Sequence, residues 1–84
     1  MPTICSFYGI IILMHLTNKE HNPPHIHALY GEYEATFFIS NGKLFEGLMP
    51  KKQSILIKKF IVKNRDELLE MWKKGIYKKL LAIE

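Results

Sequence analysis

Cysteine is nearly absent from this chain. Cys5 is the only one among 84 residues, so an intramolecular disulfide is impossible and no multi-cysteine zinc site can be built. A small domain without such staples is expected in a reducing, intracellular setting. No helix N-terminus or base is evident beside Cys5, so it is expected to be a packed, inert thiol. Long apolar runs are also missing. The longest, from Phe7 to Leu16, has roughly half the length a membrane-spanning helix needs. It lacks the basic start and small-residue cleavage site of a signal peptide, and is expected to be a buried strand of a protein with no membrane segment. There is no repeat, no low-complexity tract and no linker. Neither a phosphate-binding glycine loop, a nucleophile elbow nor a zinc-finger spacing occurs.

What is present describes one small globular domain spanning 1–84. Hydrophobic residues make up 48% of the chain and charged residues 24%, too apolar for a disordered segment. At this length only one core can form, because about 60–65% of the unfolded surface can be buried. The formal charge of +4 is unevenly spread. Lys51-Lys52, Lys58-Lys59, Lys73-Lys74 and Lys78-Lys79 all lie in the C-terminal part, whereas Lys19 and Lys43 face Glu20, Glu32, Glu34 and Glu46 in the first fifty residues. A basic second half permits binding to nucleic acid or an acidic partner, although lysine pairs are ordinarily a solvated helix face. Tyr8, Tyr30, Tyr33 and Trp72 could stack on bases but fit core positions better.

Punctuation by Gly, Pro and Asn divides the domain into a sheet half (1–48) and a helical half (49–84). The expected fold is α+β: an antiparallel meander of three or four strands, with two C-terminal helices packed on one sheet face. The first strand covers Ser6 to Leu16. Tyr30-Gly31-Glu32-Tyr33 reads as a two-residue hairpin turn, which pairs Tyr30 with Tyr33, Ala28 with Ala35, and Ile26 with Phe37 on the buried face. His25 then lies opposite Phe38, His27 opposite Thr36, and Leu29 opposite Glu34 on the other face. At the Asn41-Gly42 turn, a plain two-residue loop would set Glu46 against Phe37 in the core. A three-residue loop with a bulge instead pairs Phe38 with Glu46 and Ile39 with Phe45, and is preferred because it keeps the charge out of the core. Pro50 suits the first turn of a helix whose buried stripe includes Ile55, Leu56, Phe60 and the stem of Lys59. Asn64 and Glu67 read as a capping box, which starts a second helix near Arg65 with Leu68, Leu69, Trp72, Ile76 and Leu80 buried.

The chemistry-bearing residues concentrate in His21-Asn22-Pro23-Pro24-His25-Ile26-His27. His25 and His27 are two apart on a strand and therefore point the same way. His21 arrives from the loop through a stiff Pro-Pro element. Three imidazoles meeting at one point, with Glu34 or Glu46 adding a carboxylate, would suit zinc, manganese or iron. The same residues allow a metal-independent ribonuclease-like reading. His25 and His27 would then act as acid and base, with Glu34 nearby and a lysine stabilising charge. The third reading is structural, with histidines bracing the loop.

Met1-Pro2-Thr3-Ile4, Phe7-Tyr8-Gly9-Ile10-Ile11-Ile12, the histidine-proline string and Tyr30-Gly31-Glu32-Tyr33-Glu34-Ala35 together resemble domain-of-unknown-function family 4160, a family of small bacterial proteins. Asn41-Gly42, Glu46-Gly47, Pro50 and Asp66-Glu67-Leu68-Leu69 with Trp72 continue the likeness along nearly the whole chain. The resemblance implies a prokaryotic cytoplasmic protein paired, in a two-gene cassette of toxin–antitoxin type, with a small protein encoded nearby. It implies no reaction and no ligand. It also implies a basic residue at the position of Leu13, and this chain departs from it there. The expected function is thus a toxin–antitoxin-type or protein-interaction module with RNA as a candidate target. Metal binding by His21, His25 and His27 is the alternative, and a purely adaptor role is the third. Self-association as a homodimer is left open.

Overall fold

In the computed structural model, which describes residues 3–14, 23–75 and 80, Tyr8 and Gly9 split the first apolar run into a hairpin. β1 covers Thr3–Phe7 and β2 covers Ile10–Leu13, in place of the single strand expected from Ser6 to Leu16. Both turn residues have positive φ, 46° at Tyr8 and 79° at Gly9, the signature of a type I′ turn. β3 (His25–Tyr30), β4 (Tyr33–Phe38) and β5 (Leu44–Gly47) follow, and all neighbours are antiparallel in the order β1-β2-β3-β4-β5. The sheet therefore has five strands, not three or four.

The β3–β4 register is the one the Gly31 turn dictates, from His25 opposite Phe38 to Tyr30 opposite Tyr33. The next register differs from both expected pairings. The loop runs from Ile39 to Gly42: the Phe38 amide donates to the Lys43 carbonyl and the Gly42 amide to the Phe38 carbonyl, each at 2.9 Å. Leu44 lies opposite Phe37, an irregularity follows, and Glu46 lies opposite Thr36. The longer loop and the bulge each shift the pairing, so Glu46 still lies on the side of His27 and away from the core.

One helix, α1, covers Lys51–Lys74, where two were expected. Asn64 departs from helical geometry (φ −110°, ψ 19°) and kinks α1 without ending it. Its Nδ2 donates to the Phe60 carbonyl at 3.1 Å, so the side chain serves the turn before it. Pro50 stands just outside the helix, and its carbonyl accepts the first helical bond from the Ser54 amide at 2.9 Å. Gly75 closes the helix in the left-handed conformation, its amide donating to the Met71 carbonyl. Ile76 lies outside the described residues, and Leu80, expected on a second helix, is not helical.

The core lies between α1 and one sheet face. Ile4, Phe7, Ile10, Ile12, Ile26, Ala28, Ala35 and Phe37 meet Ile57, Phe60, Ile61, Leu68 and Met71 there. Phe7 and Phe60 pack at 5.2 Å between ring centroids. Each large side chain buried this way contributes about 1.5–3 kcal/mol. The expected helical phase was rotated: Ile57 is buried, whereas Ile55 faces outward. Cys5 is buried, as expected of a packed thiol.

Candidate functional site

Period-two geometry lines up side chains across the sheet face opposite the core. Leu13, His27, Thr36 and Glu46 form one row over β2, β3, β4 and β5. Ser6, Ile11, Leu29 and Glu34 form the next. The position where the family resemblance implies a basic residue is thus occupied by a buried leucine directly opposite His27. Thr36 is the only buried polar residue among those described, 6% exposed. Its hydroxyl lies 3.4 Å from Nδ1 of His27. His27, Glu34, Ala35, Thr36, Glu46 and Gly47 line a small open cleft.

His25 begins β3 because Pro23 and Pro24 have no amide to continue the ladder. The Pro24 carbonyl accepts from the Ile39 amide at 3.1 Å and anchors the loop to the end of the sheet. The Pro23 carbonyl can only accept, so Nδ1 of His25 carries the proton of their 2.9 Å bond. Nε2 is then the lone-pair atom of the neutral ring. The ring lies 5.0 Å from Trp72, 5.2 Å from His27 and 5.8 Å from Phe45 between centroids. Phe45 in turn stacks on Phe38 at 4.1 Å. The two imidazoles meet edge-on, at 72° between planes.

His25 and His27 therefore lie side by side, with Thr36 and Glu46 beside His27 and Glu34 one row away. His21 lies outside the described residues, so convergence of the three histidines is not part of this geometry. Among the described residues no three His, Cys, Asp or Glu side chains come together closely enough to hold a metal ion. The ring cluster around His25 was missed at the sequence level. Trp72 has the helical spacing of a core residue and is half-buried against the core. Its contact with His25 brings α1 to the histidine end of a face expected to stand clear of the helices. Such an arrangement can hold imidazoles in fixed orientation and offer aromatic surface.

No helix among the described residues is long and apolar enough to cross a membrane. Neither a curated protein nor a solved structure matches this chain. From Gly9 to Lys73, a span that includes β2 to β5, His25, His27 and nearly all of α1, the chain matches the model described as "Domain of unknown function (DUF4160)", and it belongs to that family.

Proposed function

We propose that this chain is a small protein-interaction module of toxin–antitoxin type that docks its partner along β5. The observation that carries this reading is the state of that strand. All four residues from Leu44 to Gly47 are exposed, and Leu44, Phe45 and Leu48 present large apolar side chains on it and just beyond it. An edge strand offers unpaired backbone groups, and an extended partner segment can add to it as a further strand. Phe45 joins this edge to the ring cluster of His25, so a docked segment also covers the histidine end of the sheet. The partner is the small protein that the family resemblance implies is encoded nearby. Its co-expression with this chain is the test. Residues 44–48 gain protection from amide exchange in the complex. A complex that forms without added protection there overturns the reading.

The second reading is a metal site at His21, His25 and His27, and the His25–Pro23 bond favours it. Imidazoles that bind metals have their other ring nitrogen held by an acceptor such as a backbone carbonyl. Protein purified without a tag then carries zinc or manganese, and a chelator lowers its melting temperature; metal-free protein with no chelator effect removes this reading. Action on RNA draws on the same imidazoles, but Glu34 and Glu46 in the adjoining cleft repel phosphates. If His25→Ala and His27→Ala both retain growth arrest on expression, the histidines are not catalytic.

A further inference from the structure

The two parts of α1 on either side of Asn64 differ in charge. Lys51, Lys52, Lys58, Lys59 and Lys63 precede the kink with no acidic residue among them. Beyond it, Arg65, Lys73 and Lys74 are balanced by Asp66, Glu67 and Glu70. Lys74 pairs with Glu70 at 3.3 Å, whereas none of the five lysines before the kink has an ion-pair partner among the described residues. The first part opposes its own electrostatics. Cations sit near the positive end of the helix dipole, and Lys59 repels Lys63 one turn away.

Between these lysines runs a second apolar stripe. Ile55 is 49% and Val62 54% exposed. Seven residues is almost two turns, so they lie on one line, on the side away from Ile57, Phe60 and Ile61. Ile55, Lys58, Lys59, Val62 and Lys63 line a shallow, almost wholly apolar groove along the helix. The face is also held in place. The stem of Lys58 lies over Gly42, where an added Cβ would stand 2.9 Å from its Cγ. Arg65 Nε donates to the Ile39 carbonyl at 3.0 Å and ties α1 to the same loop. A lysine stem already packed loses less freedom when its ammonium group finds a partner.

We infer that this face of α1 binds an acidic amphipathic helix of a partner protein, whose apolar side chains seat on Ile55 and Val62 while flanking carboxylates reach Lys58, Lys59 and Lys63. RNA would use the lysines but leave the stripe in water. An anionic bilayer takes a broad face of bulky side chains, and two β-branched residues in single file are too narrow for it. A helix seam has the matching width and a repeat of seven. This surface is separate from β5, and the inference holds whether or not that edge is used.

The test uses the full chain and a labelled 21-residue peptide with Leu at the seam positions and Glu on both flanks. A peptide with Lys in place of Glu, an oligouridylate and phosphatidylglycerol vesicles serve as the other arms. The acidic peptide binds, and binding weakens with salt. The triple variant Lys58→Glu, Lys59→Glu, Lys63→Glu lowers affinity by about tenfold or more, and the double variant Ile55→Ser, Val62→Ser by about fivefold. All five side chains are exposed, and a thermal melt establishes that each variant is folded. The inference is overturned if the acidic peptide fails to bind or binds no better than its charge-reversed counterpart. It is equally overturned if the serine variant binds the peptide unchanged, or if oligouridylate or vesicles take over the dependence on Ile55 and Val62.

Discussion

The sheet has two edges, and the chain treats them differently. At β1 the Leu80 amide donates to the Ile4 carbonyl at 2.8 Å, and Leu80 packs on the core. Ile4, Cys5 and Phe7 of this strand are buried. At β5 every residue is exposed, and no backbone group among the described residues covers the outer side. The bare edge is not left regular. A bulge interrupts its pairing with β4, Glu46 places a charge on it, and Gly47 turns its end at φ 90°. Bulges and charges of this kind hinder indiscriminate strand addition. One edge is thus tied to the chain's own backbone at Ile4, and the other is open but irregular.

The most damaging way to break this contrast is to straighten the end of β5. Gly47 combines positive φ with close approach to β4. A Cβ there would collide with the Glu34 carbonyl oxygen and lie 2.8 Å from the Ala35 Cα, both backbone atoms that cannot swing aside. Gly47→Ala is therefore expected to lose about 3 kcal/mol or more, since backbone strain and overpacking each cost on the order of 1–3 kcal/mol. Gly31→Ala is its control. Gly31 also has positive φ (58°), but nothing lies within 4 Å of an added Cβ, so only about 1 kcal/mol is expected. Urea unfolding measures both. Equal losses would mean that φ alone, and not the approach of β5 to β4, is what Gly47 provides.

The β3–β4 hairpin was legible because two independent signals agreed: Gly31 fixed the turn, and Ile26, Ala28, Ala35 and Phe37 fixed the face. The β1–β2 turn was not, because Tyr8 adopts a positive φ that nothing in its type advertises, and the isoleucines beyond it show no alternation. At β5 two shifts cancelled in parity, so the side on which Glu46 lies could be read while its partner could not. In α1 the triplets Ile55-Leu56-Ile57 and Phe60-Ile61-Val62 fit more than one helical phase, and burial against the sheet selected Ile57, Phe60 and Ile61. Asn64 has the chemistry of a cap at either end of a helix, and here it serves the turn before it. As for the site, sequence spacing alone places His25 and His27 together. The Trp72 contact depends on how a distant helix crosses the sheet, which no local pattern encodes.

The closed edge offers a milder test. Leu80→Ala leaves the backbone bond to Ile4 possible but removes a half-buried side chain from the core margin. The expected loss is about 1–2 kcal/mol, below the range for a fully buried leucine. If the proposed partner docks at β5, its binding, measured by titration calorimetry, should be unchanged. A loss of binding as large as the loss of stability would show that the two edges are coupled through the sheet.

The open edge should give the reverse pattern, with the smallest change in stability. Leu48 is 75% exposed and follows β5 directly, its amide donating to the Glu34 carbonyl at 3.1 Å. Leu48→Ser keeps that amide and removes only an apolar side chain that faces water, so stability should move by no more than about 0.5 kcal/mol. If an extended partner lies along β5, the same change removes an apolar anchor from the interface and weakens binding by about tenfold, equivalent to about 1.4 kcal/mol. The contrast with Leu80→Ala is then a double dissociation. One leucine matters to the fold and not to the partner, the other to the partner and not to the fold. Were Leu48→Ser to bind as the unaltered chain does, the exposed leucine would be an incidental surface residue, and docking at β5 would have to rest on backbone pairing, Leu44 and Phe45.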